Sequence, residues 1–185
     1  MFLFTIPPQK VLMVLLAVVL VAGVTDALYR RIPNWLTVSG FVLGVVMNTL
    51  IGAPEGGIVF ALLGFALAFG IYVGLYTLHA KSAGDVKLMA ALGALVGWER
   101  WLGLFFVTAI LGGVLGLMLA VLRGRLKTTL FNTGFILSEM KSGRQAYLTR
   151  QELDVKSDKS FRMPGGSVVA VSTVFYLAIA ANLIK

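Results

Sequence analysis

The sequence of 185 residues contains no cysteine and a single histidine, His79. The absence of cysteine excludes disulfide bonds, thiolate catalysis and cysteine-based zinc or iron–sulfur sites. One histidine is too few for the HExxH pattern of metalloproteases. We therefore predict a protein that uses no metal ion and no other cofactor.

Charged residues are also scarce, at 13% of the chain, whereas 58% of the residues are hydrophobic and the mean hydropathy is +0.91. Six stretches approach the ~20 apolar residues that a helix needs to cross a bilayer, at about 11–28, 35–53, 58–78, 86–97, 101–122 and 165–184. The fourth is short because Trp98, Glu99 and Arg100 interrupt it. The sequence predicts an all-α polytopic membrane protein that forms a single domain over residues 1–185, with about six transmembrane helices.

Basic residues outnumber acidic ones by 16 to 8, and their positions predict the orientation of the chain. Arg30 and Arg31 follow the first apolar stretch, Lys81 and Lys87 lie near the start of the fourth, and nine more lie between positions 123 and 162. These are alternate connections, and clusters of Lys and Arg mark the cytoplasmic side of a membrane. We expect both termini to face out (N-out/C-out) in the inner, cytoplasmic membrane.

The segment from about 123 to 162 is the longest polar part of the chain, and we predict a cytoplasmic loop between the fifth and sixth spans. It carries nine basic and four acidic residues. Such a loop is suited to anionic lipid at the membrane surface. In a chain this apolar, the formal charge of +8 indicates that surface as the partner and not a nucleic acid. No sequence feature fixes an oligomeric state.

Six of the eight acids lie in predicted loops, whereas Asp26 and Asp85 lie at cytoplasmic ends of apolar stretches. Their contexts read TDALYRRIPN, residues 25–34, and SAGDVKL, residues 82–88. An aspartate at the centre of a bilayer costs about 2.5–3.5 kcal/mol, so an acid kept near it is a candidate for function. The alternative is that each carboxylate caps a helix or pairs with a neighbouring basic side chain.

Two carboxylates that lie close together cannot both ionise at low cost, so the pair holds one proton and one negative charge. The ionised member can draw a proton from a water that attacks a peptide carbonyl, while the protonated member donates to the developing oxyanion. This is the chemistry of an aspartic protease. Gly84 fits it, because glycine permits an unusual backbone angle or the close approach of a substrate beside Asp85.

The chain resembles the type IV prepilin peptidase family, aspartic leader peptidases of the GxGD intramembrane class. The resemblance rests on Asp26 followed by RRIPN, on Asp85 inside AGDVKL, and on a proline-glycine turn in RMPGG, residues 162–166. It implies that Asp26 and Asp85 form the catalytic pair. One departure is that Ser82 stands where the motif has its first glycine.

The resemblance also implies a function. The protein would be an endopeptidase that removes the short basic leader of a prepilin, pseudopilin or preflagellin at the cytoplasmic membrane face. Large members of the family carry an amino-terminal domain with a zinc-binding cysteine set, and this chain has no cysteine. It therefore resembles the short, peptidase-only members of Tad/Flp pilus systems or their archaeal counterparts, and we expect no N-methyltransferase activity.

Four further residues are candidates for supporting the site. Lys87 stabilises the ionised pair or else reaches lipid phosphate, and the sequence favours neither alternative. Arg31 and Asn34 shape the connection after the first span. Ser82 follows His79 by three positions, but the chain lacks the GxSG sequence of a rhomboid-like serine protease, so this pair is the weaker interpretation.

Two other classes of function remain open at this point. A proton-coupled small transporter also uses acids within the membrane, but it predicts acids near mid-bilayer and repeated halves, and neither is evident here. A non-catalytic membrane subunit of a pilus or secretion apparatus would tolerate Asp→Asn changes. The leader peptidase requires both Asp26 and Asp85.

Overall fold

The computed structural model describes residues 3–51, 57–77, 81–124, 131 and 165–183. These residues form α1 (Gln9–Tyr29), α2 (Asn34–Ile51), α3 (Ile58–Thr77), α4 (Ala83–Val96), α5 (Trp98–Leu122) and α6 (Gly165–Leu183). His79 and nearly all of the predicted loop at 123–162 lie outside the described residues.

Four of the helices, α1, α3, α5 and α6, are long and apolar enough to cross a membrane. The helix α2 is a shorter apolar helix. Large apolar side chains are exposed on the outer helix faces, among them Leu28, Ile110 and Phe175. Such a surface is stable in lipid and not in water. The all-helical, membrane-embedded architecture is confirmed, whereas the six spans and their N-out/C-out orientation stay predictions.

The turn between α1 and α2 is short, and backbone conformation and backbone hydrogen bonds determine its shape. Arg30 adopts a left-handed conformation with φ 52°, and its N–H donates to the carbonyl of Asp26, which ends α1. Pro33 has no N–H to donate, and its carbonyl accepts from the N–H of Thr37 in the first turn of α2. The chain therefore reverses just after Asp26.

The helix α4 lies at the centre of the bundle, in contact with all five other helices. Every residue from Asp85 to Val96 is buried except Lys87. With 14 residues it extends about 21 Å, less than the ~30 Å hydrocarbon core. The fourth helix is therefore short, as the interruption at Trp98 predicts, and it ends at Gly97, whose φ of 80° suits glycine.

Glycines allow the neighbouring helices to approach α4 closely. A Cβ on Gly64 of α3 would lie 2.9 Å from the carbonyl carbon of Gly93, and one on Gly44 of α2 would lie 2.7 Å from that of Ala94. The side-chain amide of Asn48 then donates to the carbonyls of Ala94 and Leu95, at 2.9 and 3.1 Å. These contacts hold the carboxyl-terminal half of α4 against α2 and α3.

Candidate active site

Asp26 occupies the last turn of α1 and is buried, with 7% of its surface exposed. Its Oδ2 accepts a hydrogen bond of 2.6 Å from the backbone N–H of Gly166, at the start of α6. Ser167 in the same turn donates to the carbonyl of Gly23, at 3.0 Å. The first residues of α6 are thus bound to the end of α1 beside the carboxylate.

Asp85 occupies the first turn of α4 and is equally buried, with 8% exposed. Ser82 precedes the helix as its N-cap, and the two residues form a reciprocal capping box. Oδ2 of Asp85 accepts from the Ser82 N–H at 3.1 Å and from the Ser82 hydroxyl at 3.0 Å. The N–H of Asp85 in turn donates to the Ser82 Oγ at 3.3 Å.

Gly165 and Gly166 separate the two carboxylates. A Cβ on Gly165 would lie 2.9 Å from Cγ of Asp85, and one on Gly166 would lie 2.9 Å from Cβ of Asp26. Two consecutive residues therefore contact one acid each, and the acids are close enough to interact electrostatically. We call Asp26 and Asp85 the aspartate pair.

Two other titratable side chains lie near the aspartate pair. Arg30 lies just beyond α1, near Asp26, and Tyr72 is buried in α3, near Asp85. The pair is buried, whereas Arg30 is exposed, so this cation lies at the edge of the site.

Lys87 lies on a different flank of α4 from Asp85. Two positions along an α-helix correspond to a rotation of about 200°, so the two side chains leave nearly opposite faces. The Lys87 Nζ donates to Oδ1 of Asn34 on α2, at 3.0 Å. Both side chains line a groove of about 430 Å³ between α2, α3 and α4, whose walls include Phe41, Phe65 and Phe69. Lys87 therefore faces this groove and not the aspartate pair.

The remaining predicted residues have simple surroundings. Gly84 lies in the first turn of α4 without a positive φ, and a Cβ there would meet Ile32 at an ordinary 3.6 Å. The expectation of an unusual backbone angle at Gly84 is therefore wrong, while its role in substrate approach stays a prediction. Arg31 is exposed in the turn between α1 and α2.

Three residues of the site were not predicted as such. Gly165 and Gly166 could have been found from the RMPGG sequence, because two glycines at the start of a helix cost stability unless close packing requires them. Tyr72 lies in a uniformly apolar stretch and gives no sequence signal that distinguishes it from a core aromatic residue.

The family model for the type IV leader peptidase family matches residues 13–117, which include both members of the aspartate pair. The chain belongs to the type IV leader peptidase family. This membership confirms the resemblance described above. No solved structure matches the chain.

Relatives of this type IV leader peptidase family member are named prepilin leader peptidase/N-methyltransferase. The protein from Aeromonas salmonicida is 32% identical over 97 residues, which are 50% of this chain and 33% of that protein. The one from Myxococcus xanthus is 30% identical over 120 residues, 59% of this chain and 36% of that protein. The one from Escherichia coli is 32% identical over 101 residues, 52% of this chain and 44% of that protein. The chain thus spans well under half the length of the relatives it matches.

Proposed function

We propose that this protein is an aspartic endopeptidase that removes the short basic leader of a type IV prepilin-like substrate. The observation that carries the proposal is the aspartate pair. Two acids from separate sequence motifs lie buried on either side of the first residues of α6. Membership of the type IV leader peptidase family supports the substrate class.

The proposed reaction is the addition of one water to one peptide bond. The ionised aspartate takes a proton from the water, whose oxygen attacks the scissile carbonyl carbon. The protonated aspartate donates to the carbonyl oxygen as negative charge develops there. Collapse of the tetrahedral intermediate breaks the C–N bond: a hydroxyl of the intermediate returns its proton to the pair as the carbonyl re-forms, the leaving nitrogen receives the other proton, and the pair again holds one proton and one negative charge. No metal ion or covalent intermediate is needed.

The placement of the aspartate pair suits a substrate that is cut next to a membrane-spanning segment. Asp26 lies near the end of α1 and Asp85 at the start of α4, so both are at one end of the bundle. Arg30 and Arg31 lie at the same end and favour the cytoplasmic side. A basic leader preceding an apolar segment would present its cleavage site at this depth, where water is available.

The proposed activity does not include N-methylation. The relatives are named for both activities. The sequence has no cysteine to form the zinc-binding set that the resemblance associates with the additional domain. We therefore expect a cleaved product with an unmodified amino terminus.

The test is cleavage of a candidate prepilin by the purified full-length protein in detergent. Asp26→Asn and Asp85→Asn should each reduce cleavage by about 10²–10⁴-fold, because each removes a proton-transfer group that contributes about this much. Glu99→Gln is the matched control, an acid replaced in the first turn of α5 and away from the aspartate pair, and it should keep wild-type activity. Cleavage should be insensitive to a chelator, and the product should stay unmethylated when a methyl donor is supplied.

Cleavage that survives either asparagine substitution would remove that residue from the mechanism. A protein that cleaves nothing, yet supports pilus assembly when both aspartates are replaced, would instead be a non-catalytic subunit. Loss of cleavage on addition of a chelator would exclude the metal-free reaction.

A further inference from the structure

Ser82 makes contacts that a glycine at its position cannot make. Its hydroxyl donates to Oδ2 of Asp85 at 3.0 Å. The hydroxyl oxygen, Oγ of Ser82, also accepts a hydrogen bond from the backbone N–H of Asp85 at 3.3 Å. Its backbone N–H adds a second donor to Oδ2, at 3.1 Å. A glycine, which the family motif has here, would keep the contact of the backbone N–H and lose the two contacts of the hydroxyl.

These contacts act on one oxygen of the carboxylate. Oδ2 accepts both donors from Ser82, whereas Oδ1 lies against Gly165, on the side where α6 separates Asp85 from Asp26. A carboxylate free to rotate about its χ2 torsion would point its oxygens in a range of directions, because that torsion is broad. Two donors from a residue fixed at the helix N-cap remove this freedom.

We propose that Ser82 is a positioning residue, whose hydroxyl holds the Asp85 carboxylate in one orientation, with Oδ1 toward the first residues of α6. This rests on the proposed peptidase function. Ser82 touches neither the substrate nor the water itself, and it acts through Asp85. Ser82 and Asp85 thereby form one hydrogen-bonded unit at the start of α4.

Three substitutions of Ser82 distinguish a role in positioning Asp85 from a role in capping α4. Glycine keeps the backbone donor and is nearly as good an N-cap as serine, but it lacks the hydroxyl. Alanine lacks the hydroxyl and is a poor N-cap. Threonine keeps both the hydroxyl and the capping. If Ser82 serves capping alone, only Ser82→Ala should have an effect, and that effect should be on thermal stability.

The experiment measures kcat, KM and the thermal midpoint of purified wild type, Ser82→Gly, Ser82→Ala and Ser82→Thr with one prepilin substrate. We expect Ser82→Gly to lower kcat by about tenfold with KM unchanged, since a misplaced catalytic group slows the reaction without weakening ground-state binding. Its thermal midpoint should equal that of wild type. Ser82→Ala should lower kcat equally and also lower the midpoint, and Ser82→Thr should restore kcat to within about twofold.

Wild-type kcat in Ser82→Gly, which changes the motif to that of the family, would overturn the proposal. So would a threonine variant no more active than the glycine variant, because threonine restores the hydroxyl. If wild type itself fails to cleave while the protein is folded, the proposed peptidase function fails instead, and the two failures are thereby distinguished. Ser82→Gly keeps the test valid should Ser82→Ala not fold.

Discussion

At the scale of single residues, the function proposed here depends on how four groups meet: two carboxylates and two glycines. Asp26 receives a donor from Gly166, a residue 140 positions away, and Asp85 lies against Gly165. Any side chain on Gly165 or Gly166 would occupy space held by a carboxylate. The positions of the two carboxylates therefore depend on the first turn of α6.

Gly165→Ala should reduce peptidase activity by at least tenfold, because its Cβ would lie 2.9 Å from Cγ of Asp85 and displace the carboxylate. The matched control is Gly116→Ala in α5, where a Cβ would meet nothing within 4 Å. Activity assays on both variants, with their thermal midpoints, check this. An active Gly165→Ala protein would show that the contact between α6 and Asp85 is not needed in the reacting state.

At the scale of helices, α4 determines the position of half of the site. It is too short to cross the bilayer and is held from the sides by α2 and α3, through close glycine contacts and the amide of Asn48. Asn48 donates near the carboxyl end of α4, where carbonyl groups lack partners within the helix. In an apolar surrounding, these carbonyls would otherwise stay unsatisfied.

Asn48→Ala should lower the free energy of unfolding by about 1 kcal/mol, because hydrogen bonds between membrane helices contribute about 0.6–2 kcal/mol. Asn182→Ala is the control, since among the described residues the amide of Asn182 donates to Ala178 of its own helix, at an exposed position. Unfolding of both variants in mixed micelles measures the difference. Equal stabilities would indicate that the contacts of Asn48 with α4 add nothing to packing.

At the scale of the whole molecule, the end of the bundle that carries the aspartate pair is predicted to face the cytoplasm. The described residues at that end include Arg30, Arg31 and Lys87, while Lys10 and Arg100 lie at the other. By the positive-inside rule, the end of the bundle with more Lys and Arg faces the cytoplasm. The orientation decides which segment of a substrate can reach the site.

Because the chain has no cysteine, a single introduced cysteine reports orientation without background. Ala83→Cys, at an exposed position beside the aspartate pair, should be protected in intact cells from a membrane-impermeant thiol reagent and labelled after lysis. Gln9→Cys, exposed at the start of α1, should be labelled in intact cells. The reverse pattern would place the site outside and exclude cleavage of a cytoplasmic leader.

The sequence by itself determined the positions of the helices and the short length of α4. It also showed that Asp26 and Asp85, unlike the other acids, lie at the ends of apolar stretches. These depend on local composition: long apolar runs form helices in lipid, and Trp98-Glu99-Arg100 interrupts one of them. The serine that caps α4 could be read from its spacing to Asp85, which is that of a capping box with an acid at the third position. Such features need no knowledge of what packs against them.

Only the tertiary structure decided which groups meet. Asp26, Asp85 and Gly165 come from three helices, and their proximity depends on the rotation of each helix about its axis, which uniformly apolar spans leave unspecified. For the same reason, Lys87 faces Asn34 and a groove although it lies two positions from Asp85. The rotation is set by glycine contacts between distant segments, and no local sequence pattern encodes which glycines will meet.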